Sequence, residues 1–158
     1  MTALRFLMFL SLVVWLGGIV FFGAVVAPTL FSTLPSRQLA GAVVTRSLSA
    51  LHWIGIVSGI VFAATSMAYS RLAFGSTNVF AARHLLIYAM VALTLISQFG
   101  IAARMETLRT DMGVIDDVAP TDARRIAFNR LHHWSTRIEM SVLVLGLAAL
   151  FLTVRRLQ

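Results

Sequence analysis

Cysteine is absent from the 158 residues. A disulfide framework, a thiolate metal site, an iron–sulfur cluster and a cysteine nucleophile are therefore excluded. Charge is scarce: charged side chains make up 12% of the chain, against about 25% in an ordinary soluble domain. That deficit argues against a soluble enzyme, a disordered protein and a nucleic-acid binder. Lysine is missing too, so all 13 basic residues are arginine, against 6 acidic ones. The arginines bracket apolar segments, which points to lipid headgroups rather than nucleic acid as their partners. No P-loop, dinucleotide-binding glycine fingerprint, HExxH or CxxCH motif occurs, and no catalytic set can be assigned.

What the chain does have is oil. Hydrophobic residues reach 59%, and they fall into four runs. Phe6–Ala27 holds 22 uncharged residues, enough at about 1.5 Å per residue to cross a ~30 Å hydrocarbon layer. It exceeds the ~7–15-residue core of a signal peptide and reads as a retained anchor that Pro28 terminates. Twenty-four uncharged residues separate Arg46 from Arg71, and 20 separate Arg83 from Arg104. Only 15 lie between Glu139 and Arg155, so the fourth crossing must reach back to Trp134 and carry Glu139 with it. An ionised Glu139 facing central lipid would be costly, so it must face protein, water or an interfacial partner. Helices close their own backbone hydrogen bonds in hydrocarbon, and the runs lack the alternation of a membrane barrel. The expected fold is all-α: one domain over residues 1–158, an up-and-down four-helix membrane bundle with crossings near 6–27, 48–70, 84–103 and 134–154.

The connections carry their own signals. Ser36 through Ser47 can form a helical approach to the second crossing. Gly75-Ser76-Thr77-Asn78 reads as a compact turn. Helix three extends through Met112 to a stop at Gly113, and Thr121 or Asp122 opens helix four, so both project beyond the membrane. An even number of crossings puts both termini on one side. Arg5, Arg71, Arg83, Arg155 and Arg156 share it, while eight arginines lie on the other. Arginine density over the short segments favours cytoplasmic termini in a bacterial inner membrane.

Two sets of residues stand out. Gly55 and Gly59 form a GxxxG pair, and Gly18 with Trp15 marks the first helix; these read as close packing within the bundle, with a homo-oligomer or a membrane-protein partner as the alternative. His52 and His132 both lie near the starts of crossings on the same side, and His132, Ser135 and Glu139 share a helix face. His52 and His132 are candidate haem ligands. With Glu139, directly or in support, they are a candidate transition-metal site. Interfacial hydrogen bonding by the same side chains is the favoured reading of them, ahead of either ligand set. His84, Tyr88 and Gln98 could line a solute or proton route from the opposite side, but an interfacial Tyr88 and a Gln98 bonded across helices is the favoured reading.

The combination Trp15-Leu16-Gly17-Gly18, Phe21-Phe22-Gly23, Val26-Ala27-Pro28-Thr29-Leu30-Phe31 and, later, Arg130-Leu131-His132-His133-Trp134-Ser135 resembles the bacterial relatives of transmembrane protein 205, across nearly the whole chain. It is similar, more remotely, to copper-resistance membrane domains. The first resemblance implies a small four-helix integral membrane protein, whose human relatives are associated with platinum-drug resistance. Together they imply metal handling without assigning copper. The expectation is a non-enzymatic membrane protein that organises a complex or serves envelope metal homeostasis. The alternatives are a haem- or metal-binding electron-transfer protein and a transporter or transporter accessory subunit.

Overall fold

The computed structural model describes residues 1–157. Four long helices fill it: α1 (Thr2–Thr33), α2 (Arg37–Phe74), α3 (Ala82–Met112) and α4 (Ala123–Leu157). Each is long and apolar enough to cross a bilayer. Sequential helices run antiparallel through short connections. α1 packs mainly along α2 and α3 along α4, while α2–α3 and α1–α4 contacts close the bundle. The outward faces display Val13, Val57, Ile60, Phe99, Val144, Leu147 and Phe151, all exposed. A protein in water does not leave so continuous an apolar mantle uncovered. Lipid covers it, and the chain is a multi-pass membrane protein.

Local chemistry sets the helix ends. The Ser36 hydroxyl accepts the Leu39 amide hydrogen at 3.1 Å and caps α2, which then runs unbroken for 38 residues to Phe74. Glycines in the left-handed region end α2 and α3: Gly75 has φ +69° and Gly113 φ +66°, where a side chain would clash with its own backbone. Asp122 begins α4 by accepting the Arg124 amide hydrogen at 2.8 Å.

Pro28 does not end the first helix. The chain continues helically to Thr33. Proline cannot donate to the carbonyl four residues back, and its ring crowds that carbonyl. Here the turn just before it, Phe22–Val26, is widened to π-helical geometry, which accommodates the misfit without breaking the rod. A second π-helical turn, Ile96–Ala102, interrupts α3.

The core is a stack around Trp15, with Met8, Leu12, Phe62, Ile87, Met90 and Val142 all at 2% exposure or less. Trp15 lies against the glycine face of α2. A Cβ on Gly55 would run into its indole ring, and one on Gly59 would sit 2.6 Å from Val91 Cγ2 and 3.1 Å from Trp15 Cζ3. On Gly18 it would meet Leu51 Cδ1 at 2.7 Å, and on Gly146 it would strike Leu16. Bare backbone at these points lets α1 approach α2 and α4 closely.

Two measurements check this account. Gly55→Val should lower stability in detergent by about 1–3 kcal/mol, the usual cost of overpacking, read as a drop in thermal midpoint. Gly17→Ala, with nothing within 4 Å of the added carbon, should leave the midpoint unchanged or slightly raised. At the start of α4, the Arg124 side chain and then its backbone amide hold the Asp122 carboxyl down at about 2, from an ordinary 3.8. A depressed carboxyl stabilises the fold above its unfolded pKa and loses that contribution as pH falls through the folded one. The first turn of α4 should therefore fray between about pH 4 and pH 2, and Asp122→Ala should abolish that acid step in amide NMR spectra.

Candidate intramembrane histidine site

His52 lies three residues before Gly55 on α2, so it emerges one turn from the Trp15 contact. It is 2% exposed, and both ring nitrogens are engaged. Nδ1 lies 2.8 Å from Gln98 Oε1 on α3. Nε2 lies 2.7 Å from Glu139 Oε1 on α4. The Gln98 amide nitrogen donates in turn to the Ser49 hydroxyl at 2.8 Å, returning to α2. One imidazole thus ties three helices together, and Ser49 links the amide that meets it back to α2.

The proton inventory follows from donor and acceptor types. In this orientation Gln98 Oε1 can only accept, so His52 Nδ1 carries a hydrogen. A second proton is then shared between Nε2 and Glu139. Placed on nitrogen, it gives an imidazolium–carboxylate pair; placed on oxygen, it gives a neutral imidazole and a carboxylic acid. Either way the pair has no net charge, which is the condition for tolerating two ionisable groups away from water. Adding or removing one proton breaks that neutrality. The Glu139 side chain is 17% exposed against 2% for His52, so Glu139 is the member reachable from outside the bundle.

Gln98 belongs to the π-helical turn of α3. Such turns shift the helical phase and recur at functional sites. The neighbouring Ser97 hydroxyl is buried and, among the described residues, makes no hydrogen bond. This stretch therefore has donor capacity to spare.

The structure brings together His52 and Glu139 from the expected set, and it adds Gln98 and Ser49. It does not bring in His132. That residue is on the exposed part of α4 beside His133, their ring centroids 6.3 Å apart, and no contact joins it to His52 among the described residues. Ser135, one turn before Glu139, is buried. No group of three or more histidine, cysteine, aspartate or glutamate side chains among the described residues is arranged to hold a metal ion. Glu139 faces protein, as a carboxylate within a crossing must, and its partner is His52. Gln98 meets His52 rather than lining a route with His84 and Tyr88. Its reach to α2 was hidden in the sequence because the π-turn alters the phase on which shared faces are counted.

A second polar cluster occupies the opposite end. Arg83 and His84, both buried, begin α3. Arg83 donates from Nε to the Ser66 hydroxyl at 2.8 Å and from Nη2 to the Ser70 hydroxyl at 2.9 Å. His84 Nδ1 donates to the Asn78 carbonyl at 2.9 Å, which leaves Nε2 to accept from Ser66 at 2.8 Å. Nearby, Arg5 donates from Nε and Nη2 to the Tyr69 hydroxyl. The sequence signal for this cluster was the Ser66–Ser70 spacing of one turn. Roughly 21 Å along α2 separates Ser66 from His52.

Replacing Glu139 by leucine strands the His52 Nε2 group in the core and should cost about 1–3 kcal/mol in detergent unfolding. Glu139→Gln, which still offers a hydrogen bond, should cost less. The double variant His52→Leu/Glu139→Leu should be more stable than the sum of the single losses, and a strictly additive cycle would refute the pairing.

No curated protein and no solved structure matches the chain. One family model does: that of a domain of unknown function, DUF4149, over residues 10–113. The matched stretch covers α2 and α3 entire and residues 10–33 of α1, with Trp15, Ser49, His52, Gly55, Gly59 and Gln98 inside it and Glu139 beyond it. With most of its length accounted for in this way, the chain belongs to the DUF4149 domain family.

Proposed function

We propose that this protein is a non-enzymatic subunit of the bacterial inner membrane, with cytoplasmic termini, that takes up and releases a proton at the His52–Glu139 pair as a transporter or transporter accessory component. The observation that carries the reading is the 2.7 Å contact between His52 Nε2 and Glu139 Oε1 inside the crossings. Ionisable groups within a membrane are expensive and commonly mark ion or proton pathways. The Gln98 contact supports it, since an amide oxygen accepting from Nδ1 leaves Nε2 to exchange a proton with Glu139. Protonation at Glu139 would free His52 from a carboxylate that now draws α2 towards α4, so the proton and the helix packing are linked.

Envelope metal handling is the second reading. His52 and Glu139 are an imidazole and a carboxylate in direct contact, and a divalent ion would replace the proton they share. The resemblance to relatives of transmembrane protein 205 and to copper-resistance domains favours this reading. Further ligands would have to come from a partner or a second copy of the chain. A role in organising a membrane complex is compatible with both readings.

Purified protein in liposomes with an entrapped pH dye provides the test. After an acid jump outside, wild-type vesicles should acidify faster than empty vesicles, and His52→Leu and Glu139→Gln vesicles should match the empty ones. Equal rates for wild-type and empty vesicles would rule out transport by the chain alone. Infrared difference spectra across a pH titration check the proton site itself, through a carboxyl band that Glu139→Gln removes. If that band is missing from the wild type, the site does not exchange protons. Elemental analysis of natively expressed protein, together with its loss in His52→Leu, decides the metal reading.

A further inference from the structure

The two ends of the bundle differ in charge. Five of the six acidic residues, Glu106, Asp111, Asp116, Asp117 and Asp122, belong to the end formed by the first and third connections, and Glu139 lies within the crossing that α4 makes from that end. Eight arginines share that end, and among the described residues two of them are in ion pairs: Arg109 with Glu106 and Arg124 with Asp122. The opposite end, where α1 starts and α4 finishes, carries five arginines and no aspartate or glutamate. Arg5 rests instead on Tyr69, with its guanidinium carbon 5.1 Å from the ring centroid. Arg155 rests on Phe151.

Arg5 is held in a fixed orientation. Two of its nitrogens donate to the single Tyr69 oxygen, at 3.2 Å from Nε and 2.6 Å from Nη2. Tyr69 is itself buried. No hydrogen bond engages Nη1 among the described residues, and Arg5 as a whole is exposed. A preorganised guanidinium of this kind suits a phosphate oxygen. Large apolar side chains flank the turn at the same end: Leu72, in the last turn of α2, is 67% exposed, and Phe80, just before α3, is 76% exposed. Exposed aromatic and aliphatic side chains beside cationic ones fit a headgroup layer, where the first enter the acyl boundary and the second meet phosphate.

We propose that this end of the bundle is an anionic-phospholipid surface, with the Tyr69-held Arg5 as its anchor and Arg71 and Arg155 as further phosphate-facing cations. The occupant is the negatively charged leaflet of the bilayer the chain crosses. This inference is independent of the proton reading, since it uses none of the residues of the histidine site.

Native mass spectrometry of the full chain released from nanodiscs tests it, with equal phosphatidylglycerol and phosphatidylcholine as the probe. The wild type should retain phosphatidylglycerol in preference. Arg5→Gln/Arg71→Gln/Arg155→Gln should lose that preference, by roughly fivefold per arginine removed. Arg46→Gln/Arg104→Gln/Arg130→Gln, at the other end, should keep it. Tyr69→Phe, which frees Arg5 without removing its charge, should weaken retention less than Arg5→Gln; an equal loss would mean that Tyr69 acts only through folding, and the thermal midpoint of each variant separates the two. Equal retention of the two lipids by the wild type would overturn the proposal. So would loss of the preference in the second triple variant alone, or displacement of the lipid by millimolar inorganic phosphate, which would mark a site for the free ion.

Discussion

Hydrocarbon offers a polar group no hydrogen bond, so every donor and acceptor within the crossings must find its partner inside the bundle. That constraint orders the whole molecule. Backbone groups are satisfied along each helix. Ser11, Thr94 and Thr153 turn their hydroxyls back to the carbonyl one turn earlier. The larger polar groups, His52, Gln98, Glu139, Ser66, Arg83 and His84, gather into two networks instead of facing lipid. The distribution reverses that of a soluble protein: apolar side chains lie on both the inside and the mantle, and the large internal polar groups are paired, while the buried Ser97 hydroxyl is not.

Packing and polar pairing are one arrangement. Trp15 fills the face that Gly55 and Gly59 leave bare, and this fixes how closely α1 lies to α2 and how α2 is rotated about its own axis. That rotation aims His52 away from lipid and at α3 and α4. On α4, Gly146 accepts Leu16 and approaches Met90, which sets the depth at which Glu139, two turns earlier, meets the imidazole. The His52 contacts then bind helices that the glycine contacts have already brought together. An ion pair alone would not make such an assembly stable, because the desolvation of its members offsets their attraction. The dispersion contacts around Trp15, Phe62 and Met90 supply the cohesion, and the polar contacts select one register.

The bundle is polarised along the membrane normal. One end carries both signs of charge on projecting helices and lies nearest the histidine pair. The other carries arginine, serine and aromatic side chains without an aspartate or glutamate. The two π-helical turns fall in α1 and α3. The first carries the helix past Pro28, and the second presents Gln98.

The amino-acid sequence by itself determined the fold class, the four crossings and the membrane setting, because those follow from run length and the cost of burying charge, which are local sums over neighbouring residues. Ser36, Gly75, Gly113 and Asp122 were readable as helix ends for the same reason: a cap is a contact within four residues. Pro28 misled, since whether a proline breaks a helix or is absorbed by a widened turn depends on the packing around that turn. The partner of His52 was open among Glu139, His132 and a shared metal. Tertiary structure decided it, placing Gln98 and Glu139 on the two ring nitrogens and His132 on the exposed stretch of α4. Contacts spanning 46 and 87 residues depend on the rotation of each helix about its axis, which the three-dimensional fit of Trp15 into glycine sets and no count along the chain contains.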